Sequence, residues 1–252
     1  MRAPRPDDFP FLDFPGVIAF AHRGGTSTAP ENTEASFDSA VELGYRYLET
    51  DVHPTADGVL VAFHDVTLER IAGDERPIAQ VGWDELSEIR FDGHSIPRMD
   101  QLLARFPGAR FNIDPKVDEA VEPLAQLLME TGSIDRVCIG AFSDARVERM
   151  RELVGPRLCT SPGPRSIVSA ALPWPLTRDH PCVSIPNTLG SFRLGRRVVH
   201  RFQSQGYRVH VWTINERSEM ERMIDLGVDG IMTDECGLLK QVLQERDLWL
   251  EV

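Results

Sequence analysis

The chain reads as an α/β protein of the TIM (β/α)8 barrel type, and three observations predict it. Short apolar or β-branched runs alternate with longer helical patterns along the whole sequence. The length of 252 residues suits a barrel of this kind, which typically needs about 250. Several of the apolar runs end in histidine or carboxylate, and strand ends are where α/β folds keep their chemistry. An open doubly wound sheet is the runner-up. No linker, low-complexity tract or repeat divides the sequence, so residues 1–252 read as one domain.

The first strand is residues 17–21, followed by a helix over 33–43 that stops at Gly44. Residues 45–52 form the second strand. Residues 59–63 form a further extended run after the Asp57-Gly58 turn. Residues 83–89 and 99–106 read as helices, with Asp84, Glu85 and Asp100 in their opening turns. The later strands fall at 110–113, 136–141, 157–160, 182–185, 207–212 and 230–232. Between them lie helices at 117–131, 143–154, 194–205 and 217–226, and a last one at 237–246. Gly132, Gly155, Gly206 and Gly227 supply the stops. Residues 68–97 read as a short excursion over the barrel mouth after the second strand, and residues 161–181 as a Pro-rich loop.

A formal net charge of -12 argues against a nucleic-acid partner but not against a phosphate-bearing substrate, since local cations can invert the field. No apolar run reaches the roughly 20 residues of a membrane span, and the amino terminus carries no signal-peptide pattern. A cytoplasmic protein without membrane insertion is expected; the oligomeric state is not legible. Cys138, Cys159, Cys182 and Cys236 form no CxxC pair and read as buried, reduced thiols.

Candidate chemistry gathers near the amino terminus. Glu49 and Asp51 have period-two spacing, so both face the barrel interior, where they repel unless a cation lies between them. Such hard oxygen ligands suit Mg²⁺ or Ca²⁺. Asp114, at the end of the third main strand, offers a third carboxylate, and Lys116 can reach a phosphate oxygen. A plain Lys–Asp ion pair is the competing reading of these two. His22 and His64, at strand ends flanking the acid pair, suit proton transfer near neutral pH. Arg23 can grip a phosphate, and Gly24 and Gly25 let the backbone turn tightly. Trp212 either walls the pocket or belongs to the core. Asp234 reads as a helix cap, His210 as a strand residue, and His53, His94, His180 and His200 as surface or loop residues.

Taken together, His22-Arg23-Gly24, Pro30-Glu31-Asn32-Thr33, Glu49-Thr50-Asp51, Asp57-Gly58 and His64-Asp65 resemble the glycerophosphodiester phosphodiesterase family. Val211-Trp212-Thr213-Ile214-Asn215 and the run from Gly227 to Asp234 resemble its closing motifs. The resemblance implies a TIM barrel that hydrolyses small glycerophosphodiesters to sn-glycerol 3-phosphate and an alcohol. It implies His22 and His64 as general acid and base. Glu49, Asp51 and a third carboxylate would hold one divalent cation, Mg²⁺ or Ca²⁺ with Mn²⁺ as a third option. Arg23 and Lys116 would contact the phosphate, and Asn32 would order the first loop or the metal shell. Asp114-Pro115-Lys116 departs from the family pattern, which has glutamate in place of Asp114. A lysophospholipase D-like activity at the same site and an inactive phosphate-binding barrel are the alternatives.

Overall fold

The computed structural model describes residues 5–170, 180–189 and 192–250. Eight strands form the central barrel: β1 Ile18–Ala21, β2 Tyr47–Pro54, β3 Arg110–Pro115, β4 Val137–Ile139, β5 Cys159–Thr160, β6 Cys182–Pro186, β7 Arg208–Trp212 and β8 Gly230–Thr233. A helix follows each: α1 Glu34–Glu42, α2 Met99–Arg105, α3 Val121–Glu130, α4 Asp144–Val154, α5 Pro164–Ala170, α6 Arg196–Ser204, α7 Arg217–Leu226 and α8 Cys236–Glu245. The barrel strands pair in parallel in the order β5-β4-β3-β2-β1-β8-β7-β6. Among the described residues, β5 and β6 share no backbone ladder. Their seam is bridged instead by Ser184 N donating to Ser161 Oγ at 2.8 Å and by Cys182 Sγ at 3.6 Å from the Thr160 carbonyl.

Alternation along the strands sorts the side chains. Ala21, Leu48, Val52, Phe111, Ile113, Val209, Val211 and Ile231 face the helices and form the main core. Phe20, Tyr47, Cys138, Cys159, Cys182 and Met232 face inward. There they meet Phe9, Phe11 and Leu12, which two 3-10 turns (Pro6–Asp8 and Pro10–Leu12) insert from the amino terminus. Tyr47 Oη donates to the Phe11 carbonyl at 2.8 Å. Because Tyr47 is the first residue of β2, this plug closes the end of the barrel opposite the strand C-termini.

Several expectations are corrected in detail. The run at 59–63 contributes a strand, Leu60–Ala62, that pairs antiparallel with β2 outside the barrel circuit. The expected helix at 83–89 is a single turn, Trp83–Leu86. The excursion is more ordered than its composition implies: Thr67–Leu68 pairs with Asp74–Pro77. Val61, Phe63, Leu68, Ile78, Val81, Leu86, Phe91 and Ile96 give it a small core of its own. The Pro-rich loop contains α5; residues 171–179 of it lie outside the described residues. His53 and His180 are not surface residues; they are 1% and 7% exposed. His53 sits inside β2, whose eight residues are all buried, and His180 bonds Thr160 Oγ1 through Nδ1 at 2.8 Å.

Candidate active site

The first loop sets the geometry of the site. α1 starts sharply because Thr33 Oγ1 accepts from Ser36 N and Ser36 Oγ accepts from Thr33 N, a reciprocal cap. Between β1 and this cap the backbone curls through Arg23 (φ 52°), Gly24 (φ 85°), Gly25 (φ 84°) and Asn32 (φ 54°). Left-handed backbone at Arg23 and Asn32 costs roughly 1–3 kcal/mol each and persists only where surroundings enforce it. Here Arg23 N donates to Glu49 Oε2 at 3.0 Å, and the Arg23 carbonyl accepts from Asn32 N at 2.8 Å. A Cβ on Gly24 would run into Ser36 Oγ and stand 2.9 Å from the Phe37 nitrogen.

Register then places the carboxylates. Asp51 on β2 is the direct neighbour of Asp114 on β3, and Glu49 that of Asn112. Lys116 Nζ lies 3.0 Å from both Asp51 Oδ1 and Asp114 Oδ2. Asn32 Nδ2 donates to Asp51 Oδ2 at 3.2 Å, and Arg23 Nε lies 3.3 Å from the same oxygen. Thr50 Oγ1 donates to Asn32 Oδ1 at 2.8 Å, which fixes the Asn32 amide. Burial and the Asp51 charge push Glu49 up to about 7. Burial opposes the Asp51 carboxylate too, but Lys116, Arg23 and His64 outweigh it and hold its pKa below the usual range.

Each histidine is held by its own acid. His22 Nδ1 is 2.7 Å from Asp234 Oδ1, and its Nε2 faces Glu49 Oε2 at 3.8 Å. Burial works against the His22 imidazolium, yet Glu49 and Asp234 together raise its pKa above the ordinary value. His64 Nδ1 is 2.7 Å from Asp65 Oδ1. Arg70 then binds Asp65 Oδ2 at 2.6 Å and grips both oxygens of Glu31, which also takes Arg23 Nη1 at 3.0 Å. The excursion is thereby tied to the first loop, with His64 and Arg23 at either end of the chain of contacts.

Asp234 therefore corrects an expectation. It does not cap α8, whose N-terminus has no side-chain cap, but orients His22. Asn215 secures it from behind: its Nδ2 donates to Asp234 Oδ2 at 2.7 Å and its Oδ1 accepts from Asp234 N at 2.9 Å. The sequence signal was parity, since Asp234 lies two residues beyond the inward-facing Met232. Trp212, partly buried, borders the barrel interior. It packs against the interior cluster and also meets Phe142, ring centroids 5.5 Å apart. Phe142 was not anticipated; it is 64% exposed, and Lys116 Nζ lies 5.8 Å from its ring.

A hard divalent cation fits the carboxylate set. Asp114 Oδ1 is buried without a hydrogen-bond partner, and Glu49 is short of positive charge; a cation would supply both needs. The set is not a closed cage, because Lys116 stands between Asp51 and Asp114. Mg²⁺ commonly takes only one or two carboxylates and completes its shell with water and phosphate.

Residues 22–238 match the glycerophosphoryl diester phosphodiesterase family. The chain belongs to this family. Its relative in Mycobacterium tuberculosis H37Rv, named "Probable glycerophosphodiester phosphodiesterase 2", is 37% identical over 251 residues, spanning 95% of each protein. A crystal structure from Silicibacter pomeroyi DSS-3 shares the fold with a TM-score of 0.83 at 23% identity, covering 96% of this chain and 100% of that one. An Oleispira antarctica phosphodiesterase, solved in complex with the product sn-glycerol-3-phosphate, has a TM-score of 0.78 at 21% identity, covering 91% of this chain and 97% of that one. The family membership makes this chain a phosphodiesterase on a TIM-barrel fold.

Proposed function

We propose that this protein hydrolyses glycerophosphodiesters to sn-glycerol 3-phosphate and an alcohol, with His22 and His64 as the paired proton carriers. The observation that carries the reading is the matched pair of carboxylate-held imidazoles, His22–Asp234 and His64–Asp65, flanking Glu49, Asp51 and Asp114. Holding Nδ1 on a carboxylate fixes the tautomer and leaves Nε2 for proton transfer. One imidazole takes the proton of the attacking hydroxyl, from water or from the neighbouring glycerol carbon. The other delivers a proton to the departing alkoxide, so that charge never accumulates on either oxygen. Arg23 and Lys116 offer cationic groups to the phosphate once they exchange an acidic partner for it. Glu49, Asp51 and Asp114 would hold a divalent cation, Mg²⁺, Ca²⁺ or Mn²⁺, which when bound neutralises a non-bridging phosphate oxygen.

The product bound to the Oleispira antarctica structure supports the substrate class. Among the described residues no helix is long and apolar enough to cross a membrane. The exposed Phe142 beside Trp212 supports the second reading, a lysophospholipid whose chain rests on that rim. Turnover of glycerophosphocholine and of lysophosphatidylcholine, each with EDTA and with metal add-back, separates these readings. The expected result is glycerophosphocholine hydrolysis abolished by EDTA and restored by Mg²⁺, Ca²⁺ or Mn²⁺. Preference for the lysophospholipid would replace the first reading with the second. Activity indifferent to EDTA would remove the cation from the account.

A further inference from the structure

Below the carboxylates the barrel interior holds three thiols that phosphodiester chemistry does not use. Cys138 on β4, Cys159 on β5 and Cys182 on β6 are free and no more than 1% exposed. Their sulfur atoms all lie within 4.8 Å of one another, and Cys138 Sγ is 3.9 Å from Cys182 Sγ. That spacing is far too long for a disulfide bond, about 2.05 Å. The Cys138–Cys182 separation matches what one ion requires, since sulfurs each about 2.3 Å from one centre stand about 3.8–4.0 Å apart in tetrahedral or trigonal geometry. Among the described residues, this is the one trio of histidine, cysteine or acidic side chains so gathered.

One further polar group borders the trio. His210 on β7, 2% exposed, has an Nε2 with no hydrogen-bond partner. Its nitrogens lie outside the sulfur trio, so it is a neighbour of the site rather than one of the three donors. Position supplies a role. Cys159 and Cys182 stand on the two strands that share no backbone ladder, and Cys138 is the registered partner of Cys159.

We propose that Cys138, Cys159 and Cys182 form a buried three-thiolate site for one thiophilic cation of the Zn²⁺ or Cu⁺ class, which clamps the β5–β6 seam of the barrel. Binding displaces the thiol protons to solvent and joins three sulfurs to one centre, with no change of oxidation state. Because the site is sealed from solvent, the ion enters as the chain folds.

The test uses the full-length protein refolded under reducing conditions with Co²⁺, whose thiolate complexes absorb by sulfur-to-metal charge transfer. Zn²⁺ and Cu⁺ content is measured in parallel by elemental analysis after EDTA treatment. One equivalent of EDTA-resistant metal with charge-transfer absorption is expected. It should fall at least tenfold in Cys159→Ser and Cys182→Ser and persist in Cys236→Ser, whose thiol is outside the trio. Cobalt bound without sulfur absorption would place the ion on the carboxylates alone and overturn the proposal, as would unchanged absorption in Cys182→Ser. If the variants do not fold, the wild type refolded with Co²⁺ in excess Mg²⁺ decides: charge-transfer absorption from sulfur upholds the site, and its absence overturns it.

Discussion

Asp234 shows how a single side chain changes meaning once its neighbours are known. From sequence, an aspartate between a strand and a helix is a cap. In space it is the acid that orients His22, and Asn215 holds it in turn. Asp234→Asn keeps the size and places an amide, with its own N–H, beside Nδ1, so the favoured His22 tautomer is lost. The expected result is a fall in kcat of about 10²- to 10⁴-fold with KM little changed and the unfolding midpoint retained. A parallel loss of stability and activity would reduce Asp234 to a structural residue. Glu49, Asp51 and Asp114 were legible because period-two spacing and strand ends are local signals. Asp234, Asn215 and Phe142 were not, since each gains its role from a residue distant in sequence.

At the scale of elements, the loop from β1 to α1 is the piece on which the site depends. It places His22, Arg23, Glu31 and Asn32 within a few residues and does so through left-handed backbone. Gly24→Ala adds a methyl against Ser36 and the start of α1 at a positive φ. It should cost roughly 1–3 kcal/mol, read as a lower midpoint in denaturant, and should weaken activity through the displaced Arg23. An unchanged midpoint would mean the loop relaxes freely. The eight barrel strands were legible because apolar runs report burial on both faces. The excursion was less so. Its strands are two to four residues long, and its small core assembles from positions scattered over 61–96, which leaves no periodic trace.

For the whole molecule, the barrel separates chemistry at one end from closure at the other. The amino-terminal plug was invisible as an element, because Phe11 and Leu12 sit in a short 3-10 turn and Phe9 between two such turns, which leave no periodic pattern. Phe11 is 1% exposed and packs edge-on against Tyr47, centroids 5.3 Å apart. Phe11→Ala should destabilise the fold by about 3–5 kcal/mol, measured by urea unfolding, while kcat of the remaining folded protein stays near wild type. A site built at the opposite end, on β1, β2, β3 and β8, does not feel the plug directly. The central claim concerns that site and is tested most directly by sn-glycerol 3-phosphate release from glycerophosphocholine. Wild type is compared with His22→Ala and His64→Ala, all three shown folded by their unfolding transitions. The account predicts turnover by wild type and a loss of at least about 10²-fold in each variant. Near-wild-type release by both variants, or no release by wild type with any of Mg²⁺, Ca²⁺ and Mn²⁺, would contradict it.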